Sequence, residues 1–256
     1  MYIGNWEQNK NNLKWQEMAC FIKNEKQNPI SDIMVSENID FNKTYPPKPT
    51  SEAQIDSNEY DSILLGENEL GTVHLHGPYG KSGIKIAYLI GMHPMESKAH
   101  RGLFETILNS KDLNYEYYIY NINVSDIDND TEGRMNGQLL AQDFVAPHII
   151  NEKYNLFLDI HSNKGLNGPG TYEKTNFLFA PNFDAESESF MNQILEDIPK
   201  LVYYAPEYRT SPPYITLPVA KSGTPTIVYE TYSYEEMDVT YDLSGKLVDS
   251  VDHLEF

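Results

Sequence analysis

Three short apolar runs limit what this chain can fold into. They are Ile84-Lys85-Ile86-Ala87-Tyr88-Leu89-Ile90-Gly91, then Leu156-Phe157-Leu158-Asp159-Ile160, then Thr226-Ile227-Val228-Tyr229. Each reads as a buried strand, and residues 71–76, 115–124 and 176–180 read as further strands. Between them lie helical patterns. Residues 95–109 place Ala99, Leu103, Phe104, Ile107 and Leu108 on one inner face. Residues 137–150 read as partly helical, and 185–198 and 241–252 as helices. Apolar strands alternating with helices predict an α/β fold, with a mixed, mostly parallel twisted sheet flanked by helices on both faces. In such sheets functional groups collect at the carboxyl ends of the strands.

This pattern begins only near residue 56. Residues 1–55 are polar and weakly periodic, with Leu13, Trp15, Met18, Phe21 and Ile22 as one face of a short helix. The proline-rich stretch 43–51 reads as a linker. The expected organisation is an N-terminal extension over 1–55 and a catalytic domain over 56–256. The 38 acidic and 19 basic side chains leave a formal net charge of -19. That balance argues against nucleic acid and anionic membrane surfaces as partners, since both need clustered Lys and Arg. One cysteine, Cys20, excludes an internal disulfide and argues against a thiolate metal site. No basic segment followed by an apolar one opens the sequence, so the expected location is cytoplasmic. The oligomeric state is not legible.

The chemistry sits where the strands end. His93-Pro94-Met95-Glu96 follows the first run, His161 closes the second and Glu230 closes the third. Pro94 suits the first turn of a helix. It leaves His93 at the cap and Glu96 in the first turn, three positions apart and able to reach one ion. Two histidines and a glutamate form a catalytic zinc ligand set that leaves a position for water. His93, Glu96 and His161 are therefore the candidate ligands of one Zn2+ ion, and Glu230 the general base. Asp159, two positions before His161, shares its strand face and would orient the imidazole. His100 is the competing third ligand, because it lies four positions after Glu96 on the same helix. The string Gly80-Lys81-Ser82 resembles a phosphate loop, but Leu75 stands where the first glycine is needed and a strand follows, so a hairpin turn is expected.

In this order the motifs resemble those of the zinc carboxypeptidase superfamily, including its succinylglutamate desuccinylase and aspartoacylase branch. Gly91-Met92-His93-Pro94-Met95-Glu96 is similar to the first zinc motif, Asp159-Ile160-His161-Ser162 to the segment with the third ligand, and Thr226-Ile227-Val228-Tyr229-Glu230 to the strand with the catalytic glutamate. The resemblance spans roughly residues 70–235. It implies hydrolysis of an amide bond in a peptide, or alternatively deacylation of a small N-acyl amino acid. A non-catalytic zinc-binding protein on the same fold is the reading from another class. The Asn-Arg pair with which relatives hold a substrate carboxylate is only half present: Asn136 matches, but Gly137 stands in place of the arginine. Arg134 is the nearest substitute, as carboxylate clamp or as oxyanion stabiliser, and Arg209 is the second. Tyr208 and Tyr214 are candidates for the tyrosine that the family places over the substrate.

Overall fold

The structure, a computed structural model, describes residues 54–256 apart from 82, 128, 129, 169, 208 and 210. The expected short helix at the start, Cys20 and the proline-rich stretch lie outside the described residues. The strands are β1 (Ser62–Asn68), β2 (Gly71–Gly80), β3 (Lys85–Ile90), β4 (Glu116–Val124), β5 (Leu156–Asn163), β6 (Phe177–Phe179), β7 (Val202–Tyr203) and β8 (Thr226–Tyr232). They form one sheet in the order β1-β2-β4-β3-β5-β8-β6-β7. The central β4, β3, β5 and β8 are mutually parallel, β6 pairs antiparallel to β8, and the β1-β2-β4 side is antiparallel. The sheet is mixed and mostly parallel, as the apolar runs predict.

The helices are α1 (Ser97–Asn109), α2 (Asp130–Leu140), α3 (Ala146–Glu152), α4 (Ala185–Asp197), α5 (Thr216–Lys221) and α6 (Met237–Val251). A wider-pitched turn over Ala141–Val145 joins α2 to α3. Strand β3 explains why both faces need cover. Ile86, Tyr88 and Ile90 point into a layer with Leu103, Phe104 and Ile107 of α1 and Leu243 and Leu247 of α6. Ala87 and Leu89 point the opposite way, toward Leu140, Val145, Ile149 and Val219 on the side of α2, α3 and α5. The period of two in the strand thus divides one apolar run between two cores.

Several boundaries depart from the sequence reading. The predicted turn at 77–83 is instead strand as far as Gly80. Its Gly77-Pro78 sits at a bulge, where the pairing with β4 shifts between His76 and Tyr79. Beyond His76 there is no pairing with β1, so the missing N–H of Pro78 costs no ladder bond. The helix expected from residue 137 begins at Asp130. Strand β5 runs two residues past His161, which places that histidine inside a strand rather than at its exit. Leu108, expected on the inner face of α1, is 38% exposed. Strand β1 and helix α5 carried too little periodicity to be read. Among the described residues no helix is long and apolar enough to cross a membrane.

One histidine remote from the strand ends gives a test of the fold. His76 is fully buried on β2, edge-on to Phe104, with Nε2 3.4 Å from the Ser57 Oγ. Burial pushes its pKa down to about 4 from an ordinary 6.5. The unfolded chain takes up this proton near pH 6.5 and the folded chain only near 4, so acid favours unfolding across that interval. Stability from this site should be intact above pH 6.5 and decline as the pH falls toward 4. Urea unfolding across that window should show a shallower decline in His76→Phe than in the parent; parallel curves would refute the assignment.

Candidate metal centre

Strand order creates the place for the site. From β3 the chain reaches β4 on one side and β5 on the other, so a crevice opens beyond the carboxyl ends of β3 and β5. Gly91 lets the chain leave β3 there, with φ at +80°. A Cβ at that position would lie 2.1 Å from the Ile122 carbonyl oxygen, so only glycine fits. His93 then adopts extended backbone and precedes a single 3-10 turn, Pro94–Glu96, that leads into α1. This brings His93 Nδ1 to 3.0 Å from Glu96 Oε1.

His161 on β5 closes the other side. Its Nδ1 lies 3.0 Å from Glu96 Oε2, and the Ser162 backbone N–H donates to the same oxygen at 3.0 Å. The His93 and His161 ring centroids are 4.6 Å apart. Donor atoms from His93, Glu96 and His161 fall within 4.8 Å of one another, and all three residues are buried. Behind His161, Asp159 is fully buried. Its Oδ2 is 2.9 Å from His161 Nε2, in contact but off the line of a hydrogen bond.

The electrostatics match a cation-binding cluster. Burial alone would raise the pKa of Glu96, but His93, Arg134 and His161 overcome it and hold the carboxyl well below its ordinary range. Burial opposes charge on His161, yet Asp159 and Glu96 outweigh it and raise that imidazole well above 6.5. The cluster is thus built to stabilise positive charge between two carboxylates. Two imidazole nitrogens and a carboxylate oxygen, converging and shielded from water, fit a divalent transition metal. His100 does not join them. It is buried, its Nε2 lies 3.1 Å from the Ile160 carbonyl oxygen, and burial lowers its pKa to about 4.

Helix α2 supplies the next layer. Arg134 Nη1 lies 2.5 Å from Glu96 Oε1, and the Gln138 carboxamide lies 3.1 Å from His93 Nε2. These residues are four apart and share one helix face. Gly137 shows why no arginine stands at that position. A Cβ there would lie 1.9 Å from the Met92 carbonyl oxygen, because α2 presses directly on the backbone that carries His93. Asn136 is half-buried and does not line the cleft beside the cluster.

That cleft is lined by Glu96, Arg134, Asn163, Lys164, Tyr172 and Glu230, among others. Glu230 is in register with His161 on the neighbouring parallel strand, and Asn163 Nδ2 donates to its Oε2 at 3.1 Å. Burial, reinforced by the charge on Glu96, raises the Glu230 pKa to about 8 against the opposing pull of His161. Arg209 lies outside the lining, with its guanidinium over the Phe179 ring at 4.9 Å and its pKa lowered by burial. Tyr208 lies outside the described residues, and Tyr214 is not among the cleft residues. The sequence reading passed over Gln138, Asn163 and Tyr172. Gln138 was findable, since i and i+4 from Arg134 share a face, but only once the helix is known to begin before residue 137.

No protein-family model and no curated protein sequence matches the chain. Solved structures do. A protein assigned as a carboxypeptidase from Burkholderia mallei shares 14% identity at a TM-score of 0.53, over 74% of this chain and 62% of that one. A metallo-carboxypeptidase from Pseudomonas aeruginosa, in complex with (2-guanidinoethylmercapto)succinic acid, shares 13% at 0.45, over 71% and 60%. Helicobacter pylori Csd4, a D,L-carboxypeptidase in its mDAP-bound form, shares 10% at 0.46, over 66% and 50%. The chain spans about three-fifths of the length of the first two. The Burkholderia structure shows that the fold is carboxypeptidase-like, in agreement with the motif resemblance.

The two rival third ligands differ in what their loss would do. Purified chain should carry a divalent metal by elemental analysis. His161→Ala should lose it, whereas His100→Gln should keep it. Metal retained without His161 and lost without His100 would move the centre one helical turn along α1.

Proposed function

We propose that the chain is a zinc-dependent hydrolase that cleaves amide bonds, working as a carboxypeptidase-like metallopeptidase with one Zn2+ ion. The observation that carries this reading is the register of Glu230 with His161, which sets a protonatable carboxylate beside a converging His-Glu-His cluster in one cleft. His93, Glu96 and His161 would hold the metal. Zinc bound there would polarise the scissile carbonyl and lower the pKa of water to about 7.

The remaining roles fall to the chain's own side chains. Glu230 takes the proton from the attacking water and returns it to the leaving nitrogen. Burial raises the pKa of this carboxyl to about 8, so it holds a proton for the leaving nitrogen; a cation held by His93, Glu96 and His161 would lower that value and free the carboxylate to accept the proton of water. Asn163 fixes the orientation of Glu230. Arg134 carries the positive charge nearest the reacting centre and stabilises the developing oxyanion or holds a substrate carboxylate. Lys164 is a further cation lining the cleft with Tyr172. It favours a substrate that bears a carboxylate, such as the end of a peptide.

Gly137 favours a second reading. Its contact with Met92 rules out the arginine that grips a C-terminal carboxylate in relatives, so deacylation of a small N-acyl amino acid, which uses the same chemistry, stays close to the first reading. A panel of C-terminal peptides and N-acyl amino acids separates the two. Turnover of neither by metal-loaded chain would leave a non-catalytic zinc protein. Within the catalytic reading, Glu230→Gln should retain metal while kcat/KM falls by roughly 10²-fold or more, as for loss of a general base. Full activity in that variant would remove Glu230 from the mechanism.

A further inference from the structure

Gln138 has no part in the proton transfers above, yet it is 2% exposed and points at a metal-centre histidine. We infer that Gln138 is the positioning residue for His93, and that Gly137 exists to let it reach. This rests on the reading of His93 as a metal ligand. A neutral imidazole carries one proton. Nδ1 faces Glu96 and His161, so Nδ1 must keep its lone pair for a cation and the proton must reside on Nε2. A buried Nε2–H needs an acceptor; Gln138 Nε2 lies 3.1 Å from His93 Nε2 in this structure, and a 180° turn of the carboxamide exchanges its nitrogen for its oxygen and supplies that acceptor.

The packing of α2 sets the distance. Gly137 rests on the Met92 carbonyl, where a Cβ would come to 1.9 Å, and a Cβ on Gly133 would stand 3.2 Å from the Pro94 ring. Two glycines four apart therefore seat the helix against the Met92 backbone and the Pro94 ring, on either side of His93. The two histidines are thereby held differently. His161 has the Asp159 carboxylate behind it, while His93 has an amide that directs the ring without adding negative charge.

The test measures zinc affinity by competition with a chromophoric chelator, on folded protein checked by circular dichroism. Gln138→Leu keeps much of the volume and removes the acceptor. Gln138→Glu keeps the acceptor and adds charge. A positioning role predicts that affinity falls about 10- to 100-fold in Gln138→Leu and is retained or increased in Gln138→Glu. A packing role predicts the reverse order, with Gln138→Leu at parental affinity and Gln138→Glu impaired, and that result overturns the inference while zinc binding by the parent stands. A parent chain that binds no zinc overturns both the metal reading and this inference. Nitrogen-15 NMR of the zinc-loaded parent gives a readout that needs no variant. The His93 ring should carry its proton on Nε2, protected from exchange, and a proton on Nδ1 overturns the assignment.

Discussion

Everything at the strand ends depends on keeping one carboxylate, Glu96, ionised and buried. An uncompensated charge in such a place costs several kcal/mol. Here four groups compensate it: the His93 and His161 imidazoles, the Arg134 guanidinium and the Ser162 N–H, at 2.5 to 3.0 Å. They come from three separate segments, namely the turn after β3, strand β5 with His161 and Ser162, and α2. Glu96 is therefore the joint at which the two sides of the crevice meet. Losing any one partner leaves the others facing a charge that they cannot neutralise alone.

That joint explains the glycines. Close approach of backbone to backbone is needed wherever a site must be assembled from segments this short. Gly91 clears the Ile122 carbonyl so that the chain can turn out of β3, and Gly137 clears the Met92 carbonyl so that α2 can lie on the turn. A side chain at either place would displace His93 relative to His161. Geometry on the scale of a metal–ligand bond tolerates little such movement. Gly137 thus has two consequences: the helix approaches closely, and the position is lost to any arginine.

The fold and the cluster were legible for the same reason. Continuous apolar runs mark strands buried on both faces, and polar residues that end such runs are costly unless they have a task. His93, Glu96, His161 and Glu230 stand out by that contrast. What surrounds them does not. Asn136 looked like a substrate residue because a string matched, yet in α2 it is Arg134 and Gln138 that share the face toward the cluster. The early start of α2 was hidden because Asp130-Thr131-Glu132-Gly133 is polar with no apolar stripe, so tertiary packing rather than periodicity makes it helical. Arg209 was read from its nearness in sequence to Glu230, whereas it packs on Phe179, opposite Val228 and two residues deeper along β8.

The carboxylates of the centre divide into two kinds by environment alone, although all are buried. Glu96 is surrounded by cations and donors, and its pKa is driven down, which makes it a permanent charge suited to holding a metal. Glu230 has one amide donor, the repulsion of Glu96 and more desolvation than its neighbours can offset, and its pKa is driven up to about 8. Two glutamates in one cleft are thereby separated into one held ionised and one that holds a proton, which under the proposed function are the metal ligand and the proton carrier. The separation depends on Arg134 lying against Glu96 rather than Glu230. That placement follows from the seat of α2 on Met92, and so the division of chemical labour traces back to the absence of a single Cβ.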